Sequence, residues 1–153
     1  MHKKITTFLT FNDQALQAAE YYTSVFQNSR ITSKTPGPGG TVMAVNFELD
    51  GQEFTALNGG PSFSFSDGIS LFVTCETQAE VDELWAKLTA GGKESQCGWL
   101  KDRFGVSWQV IPTALTRLMS SSSPGAAGRV VQAMLKMQKI DIAALQAAHD
   151  ANS

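Results

Sequence analysis

The chain repeats itself. Ile5 to Ala15 lies over Ile69 to Ala79 at a constant offset of 64 residues. Ile, Phe, Thr, Gln and Ala recur in register, with Thr6/Ser70 and Leu9/Val73 as near matches. In both places a run of β-branched and aromatic residues leads into a capped amphipathic helix. Each copy later reaches a short turn, Asp50-Gly51 in the first and Phe104-Gly105 in the second. Two related half-modules must bury two similar faces, and such halves usually enclose one site between them. The architecture is narrowed before any single side chain is weighed.

A chain of 153 residues fits one domain with a sizeable core. Its 42% hydrophobic share and net charge of −2 are those of an ordinary globular composition. No basic run or patch suggests a nucleic-acid surface. The densest basic group, Arg129, Lys136 and Lys139, reads as one solvated helix face. No apolar run approaches the roughly 18 to 20 residues needed to span a bilayer, so no membrane association is expected. The segment from Met1 to Ile5 is basic but has no continuous apolar stretch or small-residue cleavage site, so a signal peptide is not expected. Cys75 and Cys97 form neither a CxxC nor a zinc-type spacing, and a reducing cytoplasm is the expected compartment.

Along the chain, Ile5 to Phe11 reads as a strand, and Asn12 and Asp13 are placed to cap the following helix. Ala15, Leu16, Ala19, Tyr22, Val25 and Phe26 keep the helical period. Arg30 to Thr35 is a second strand and Pro36 to Gly40 a loop tip. Thr41 to Leu49 and Gln52 to Leu57 form a hairpin across Asp50-Gly51. After a Gly/Pro and Ser/Phe connection come strand Ile69 to Cys75 and a helix announced by Thr77 and Glu80. That helix carries the stripe Val81, Leu84, Trp85 and Leu88 and stops at Gly91-Gly92. Gln96 to Leu100 and Val106 to Ile111 are the last strand pair. Each half is thus β-α-β-β-β, in an α+β chain. Ser120 to Pro124 is a polar break, and Ala126 to Lys139 and Asp141 to Ala151 are helical by pattern. The methionine-rich stripe around Val130, Met134 and Met137 reads as core or dimer packing.

Ile69 to Cys75, Asp82 to Trp85, Gln96 to Asp102 and Phe104 to Pro112 resemble the PhnB-like family. That family belongs to the glyoxalase/bleomycin-resistance, or vicinal-oxygen-chelate, superfamily. Leu9 to Phe26 and the tail segment Arg129 to Ile142 also fit it, so the resemblance covers nearly the whole chain. It implies two βαβββ modules forming a curved mixed sheet around a central pocket, the glyoxalase/bleomycin resistance/dihydroxybiphenyl dioxygenase fold, commonly as a homodimer. The expected division is a glyoxalase-like domain over 1–119, with modules at about 1–61 and 66–113, and a helical C-terminal extension over 120–153.

Enzymes of the superfamily typically hold a divalent ion through a first-strand His and a last-strand Glu in each module, and the ion stabilises negative charge on two neighbouring substrate oxygens. Carrying those positions over by their distance from the helix cap and the turn glycine gives Thr6 and Thr55 in the first half. In the second half it gives Ser70 and Gln109. Three hydroxyls and one amide offer no charge to offset a dication. The resemblance therefore implies a lost metal site, and no cofactor is expected. His2 and His149 are expected at the surface and in no metal-binding spacing.

Other candidates each have a plain structural competitor. Phe72, Trp99 and Trp108 sit on strands that should flank the pocket, where aromatic rings either stack on a ligand or fill core. Asn58 either approaches a ligand beside Gly59-Gly60 or caps the loop. Asp102 is a base only if buried, and otherwise belongs to the turn. Cys97 has no nearby histidine in sequence to make it a thiolate, and no Ser-His-Asp set is visible.

Two functions remain. The first, which the neutral residues favour, is a binding module for a small organic molecule, without metal. The second is a lyase, isomerase or dioxygenase acting on adjacent oxygens, metal-independent or with ligands outside the superfamily positions. A methyltransferase of the common type needs a parallel sheet with a Gly-rich turn, which two βαβββ halves do not supply.

Overall fold

Alternation along a strand decides which face of a sheet is covered. In the computed structural model, which describes residues 4–151, that alternation builds two compact units, one ending at Ser64 and the other beginning at Phe65. The first unit runs β1 (Thr7–Phe11), α1 (Ala15–Val25), β2 (Arg30–Pro36), β3 (Val42–Leu49) and β4 (Gln52–Asn58). Its sheet order is β1-β4-β3-β2, with β1 parallel to β4 and the other pairs antiparallel. Leu9, Phe11, Val45, Phe47, Leu49, Phe54 and Ala56 are buried on the α1 side, with Ala15, Ala18, Ala19, Tyr22 and Val25 from the helix. Stacked rings of Tyr22, Phe47 and Phe54 fill the centre. Asp50 and Gly51 both take positive φ, 49° and 79°, as the tight turn between β3 and β4 requires.

The second unit repeats the plan with β5 (Leu71–Cys75), α2 (Gln78–Thr89), β6 (Lys93–Glu94), β7 (Trp99–Lys101) and β8 (Ser107–Pro112). Its order is β5-β8-β7-β6, and β5 runs parallel to β8. Thus the repeat seen in sequence is a repeat in topology. Val81, Leu84, Trp85 and Leu88 of α2 are buried, as are Cys75, Leu100, Trp108 and Val110 of the sheet. Thr77 caps α2 by accepting from the Glu80 amide at 3.2 Å.

The tail belongs to this second unit. Helices α3 (Thr113–Met119), α4 (Ala126–Met134) and α5 (Ile142–Asp150) gather Leu115, Leu118, Val130 and Leu145, with Ile140, around Ile111 of β8. Met134 and Met137 pack against that cluster, the first of the two packing roles, core or dimer, read for the methionine stripe. Backbone pairing adds to it: the amides of Cys97 and Gly98 donate to the carbonyls of Met137 and Gln138, both at 2.8 Å. The Gln78 side chain then holds the tail at two points, donating to Ile140 O at 2.9 Å and accepting from the Ile142 amide at 2.7 Å. Gly98 makes this approach possible. Its φ is 84°, and a Cβ there would stand 2.7 Å from Ile111 Cδ1.

Several boundaries differ from the sequence reading. Asn12 and Asp13 do not cap α1. The N-cap residue is Gln14, without a side-chain cap bond, and the Ala15 amide is instead met by Asn58 Oδ1 at 2.9 Å from the end of β4. Helix α3 was not expected, because Pro112 reads as a stop. Proline's fixed φ equally suits a helix start, and here Pro112 is the N-cap. Strand β7 begins at Trp99 because Cys97 and Gly98 both take left-handed φ. Helix α4 ends at Met134 rather than Lys139, leaving the backbone that follows free to pair with Cys97 and Gly98. Among the described residues no helix is long and apolar enough to cross a membrane.

Candidate functional site

Residues directly opposite across neighbouring strands share a sheet face. In the second unit, Gln109 on β8 lies opposite Phe72 on β5 and Trp99 on β7. The three form a row across the face turned away from α2. Ser70, two positions before Phe72, reaches the same row: the Gln109 side-chain amide donates to Ser70 Oγ at 2.9 Å. Phe72 is 57% exposed, and Trp99 and Gln109 are half-buried.

The first unit has the equivalent row in the same register. Thr55 on β4 lies opposite Phe8 on β1 and Asn46 on β3, and Asn46 lies opposite Ser33 on β2. A chain of hydrogen bonds runs along it. Thr55 Oγ1 donates to Asn46 Oδ1, and Asn46 Nδ2 donates to Ser33 Oγ, each at 2.9 Å. Thr6 joins Thr32, Asn46, Glu48, Glu53 and Thr55 in lining a small cleft of about 150 Å³. Phe8, at 60% exposure, is the counterpart of Phe72.

The structure therefore brings Ser70, Phe72, Trp99 and Gln109 together in one unit, and Thr6 and Thr55 together in the other. Two further candidates are placed elsewhere. Trp108 is 2% exposed and faces away from Gln109, as an adjacent strand residue must. Its indole N–H donates to Asp102 Oδ2 at 2.9 Å. Trp108 is thus core on the α2 side and not part of the row. Asn58 has both ends of its amide committed, to the Ala15 amide and to Val42 O at 3.0 Å, so its role is the capping one.

Asp102 is buried at 3% exposure, yet its oxygens are occupied by the amides of Phe104 and Val106 and by the Trp108 indole. That is turn chemistry around Gly105. Cys75 is fully buried, and burial, with Glu80 and Glu76 adding, pushes its thiol up to about 12. Such a thiol stays protonated and unreactive. His2 lies outside the described residues.

His149 is not the free surface residue expected from sequence. Its side chain is 19% exposed, with Nε2 2.8 Å from Ser121 Oγ and Nδ1 2.9 Å from Asp150 Oδ1. Hydrogen bonds from His149 and then Gln146 hold the Asp150 carboxyl below its usual range. These contacts make a Ser-His-carboxylate chain by distance. The carboxylate is 63% exposed, however, and Ser121 Oγ already accepts from the Ser123 amide. The trio ties the end of α5 to the loop after α3.

Sequence reasoning missed Phe8, Asn46 and Ser33. Phe8 was available from the repeat offset that supplied Phe72. Asn46 was available from the hairpin, because a two-residue turn fixes Thr55 opposite it.

The four superfamily positions hold Thr6, Thr55, Ser70 and Gln109, with no imidazole or carboxylate among them, and Gln109 and Ser70 are hydrogen-bonded to each other. Among the described residues, no three His, Cys, Asp or Glu side chains lie close enough to share an ion. Glu48 and Glu53 do line the first unit's cleft, and Glu48 is engaged by Arg30 at 3.4 Å.

Paired β-α-β-β-β units with mixed sheets are the architecture of the glyoxalase/bleomycin-resistance class. Solved structures bear this out at the level of fold. A glyoxylase/bleomycin resistance protein/dioxygenase domain from Frankia sp. EAN1pec aligns with a TM-score of 0.51 at 16% identity, over 73% of this chain and 92% of its own. The fosfomycin resistance protein FosX from Listeria monocytogenes, complexed with Mn(II) and sulfate, aligns at 0.54 and 15% identity, over 72% and 91%. The PhnB protein of Bacillus cereus is 38% identical with a TM-score of 0.68, over 72% of this chain and 99% of its own. The family model described as 3-demethylubiquinone-9 3-methyltransferase matches residues 3–111. The chain belongs to that PhnB-like family. No curated protein matches it. The family match ends at residue 111, before α3.

Proposed function

We propose that the protein binds a small, uncharged organic molecule without a metal ion, on the sheet faces turned away from α1 and α2. One observation carries the reading. In the second unit, the two positions where a chelating enzyme of this class would place His and Glu hold Ser70 and Gln109, already hydrogen-bonded to each other. A neutral pair of this kind recognises polar groups on a ligand but cannot balance a dication. Exposed Phe8 and Phe72, at equivalent places in the two rows, offer apolar contact beside the polar groups.

The family's name refers to methyl transfer, and this chain's own geometry does not support that activity. Both sheets are mixed, and the segment Asn12 to Gln14 after β1 contains no glycine to cradle a nucleotide-type methyl donor. A cytoplasmic location and a homodimer remain part of the proposal. Leu135 at 52% and Met119 at 41% exposure are the tail's apolar contribution to such a contact.

The test is metal analysis of protein purified without chelator, followed by Ni²⁺, Mn²⁺ and Zn²⁺ titration. No stoichiometric binding is expected, whereas Ser70→His with Gln109→Glu should gain measurable affinity. Tight wild-type binding of one ion per chain would sink the reading and favour an enzyme.

A further inference from the structure

We infer that the row around Gln109 selects a flat, neutral ring that carries an N–H and a C=O side by side, as cyclic amides and ureides do. This rests on the metal-free reading above and adds the ligand's chemistry to it. The argument starts from hydrogen-bond capacity. A primary amide has two donor hydrogens and an acceptor oxygen, and a serine hydroxyl has one donor and two lone pairs. Their mutual bond at 2.9 Å uses one donor and one acceptor. With Gln109 Nε2 donating, Gln109 Oε1 remains as acceptor, and the Ser70 O–H and the second Nε2 hydrogen remain as donors. With the amide turned over, Nε2 remains as donor and Ser70 Oγ as acceptor. Either orientation presents an adjacent donor and acceptor to the sheet face, so the conclusion does not depend on which way the amide is turned.

The complementary ligand edge is likewise one donor beside one acceptor. A carboxylate offers acceptors only and leaves Gln109 Oε1 unmatched, and an ammonium offers donors only and leaves the donors unmatched. The basic groups on this face lie towards the edge strand, away from Phe72: Lys101 is paired with Asp67, and Lys93 sits opposite it on β6.

Shape comes from the flanking rings. Phe72 and Trp99 stand one strand to either side of Gln109, and two strand spacings separate β5 from β7 by roughly 10 Å. A ring standing on its polar edge needs about 3.5–4 Å on each face for stacking contact, or about 7–8 Å between the two aromatic side chains. That strand spacing suits one planar system, edge down onto Gln109 and Ser70. A branched aliphatic chain lacks the polar edge, and a saturated sugar, whose hydroxyls can both donate and accept, lacks the flat faces for stacking.

The experiment uses the full chain and three probes of matched size: 2-quinolone, N-methyl-2-quinolone and naphthalene, titrated by calorimetry. The expected result is that 2-quinolone binds at least tenfold more tightly than its N-methyl analogue, which keeps the ring and carbonyl but has lost the donor. In Gln109→Leu and in Ser70→Ala that ratio should collapse towards one. Equal affinity of the two quinolones for the wild-type protein overturns the inference, and so does no binding of 2-quinolone. If naphthalene still binds in those cases, the metal-free binding reading survives alone. If no probe binds and the protein takes up a stoichiometric metal ion, both readings fall.

Discussion

Asp102 separates a structural carboxylate from a catalytic one by a measurable amount. It is 3% exposed and accepts from the Phe104 amide at 2.8 Å, the Val106 amide at 3.1 Å and the Trp108 indole at 2.9 Å. Hydrogen bonds to a charged group contribute about 1.5–3 kcal/mol each, and a buried donor left without a partner costs about 1–3 kcal/mol. Asp102→Asn retains Oδ1 for the two amides but turns an N–H₂ group towards the indole N–H, so one bond becomes a clash of donors. The expected loss is about 2–3 kcal/mol. Asp102→Ala strips all three bonds, and the loss should reach about 4 kcal/mol, near the upper end for single substitutions. Trp108→Phe, made alone and in the Asn background, completes a double-mutant cycle with a coupling of about 1–2 kcal/mol. Urea unfolding followed by circular dichroism gives each value. An Asp102→Asn protein within about 0.5 kcal/mol of wild type, with ligand binding lost, would refute the argument and return Asp102 to the functional candidates.

Two other outcomes follow from the same structure. Removing residues from Ser120 onward takes Val130, Ile140 and Leu145, all fully buried, away from Ile111, Leu115 and Leu118. At about 1.5–3 kcal/mol per buried aliphatic side chain, the truncated chain should lose its cooperative melt and aggregate; a soluble truncated form with an unchanged melt would contradict the packing described. Cys75 titrates near 12 in the folded chain against a reference of 9.0, so above pH 9 the unfolded chain releases that proton first and stability falls as pH rises towards 12. Urea midpoints at pH 8 and 10.5 should diverge more for wild type than for Cys75→Ala, and equal divergence would refute the assignment.

The sequence made the repeat, the strand alternation and the α2 stripe legible because each rests on local periodicity. It also pointed to Ser70, Phe72, Trp99 and Gln109, which occupy one face. What it misplaced depended on contacts between residues far apart. Trp108 and Gln109 are neighbours in the chain but face opposite ways, and only the register of β8 against β5 and β7 says which one points where. Asn58 caps α1 from 43 residues away, a partnership that the local Asn12-Asp13 signal conceals. His149 and Ser121 meet only through the fold of the tail.

The dependence of Cys97 and Gly98, just before β7, on Met137 and Gln138 gives the two halves unequal histories on the ribosome. Every strand and helix partner of the first unit has been synthesised by Asn58. The second unit's last strand ends at Pro112, yet the carbonyls that pair with Cys97 and Gly98 come 25 and 26 residues later, and Val130, Ile140 and Leu145, which complete the cover over Ile111, come 18 to 33 residues later. At ~5–20 residues per second, the nascent chain waits on the order of seconds with that apolar surface open. During that interval the second half, and not the first, is the natural client for a chaperone.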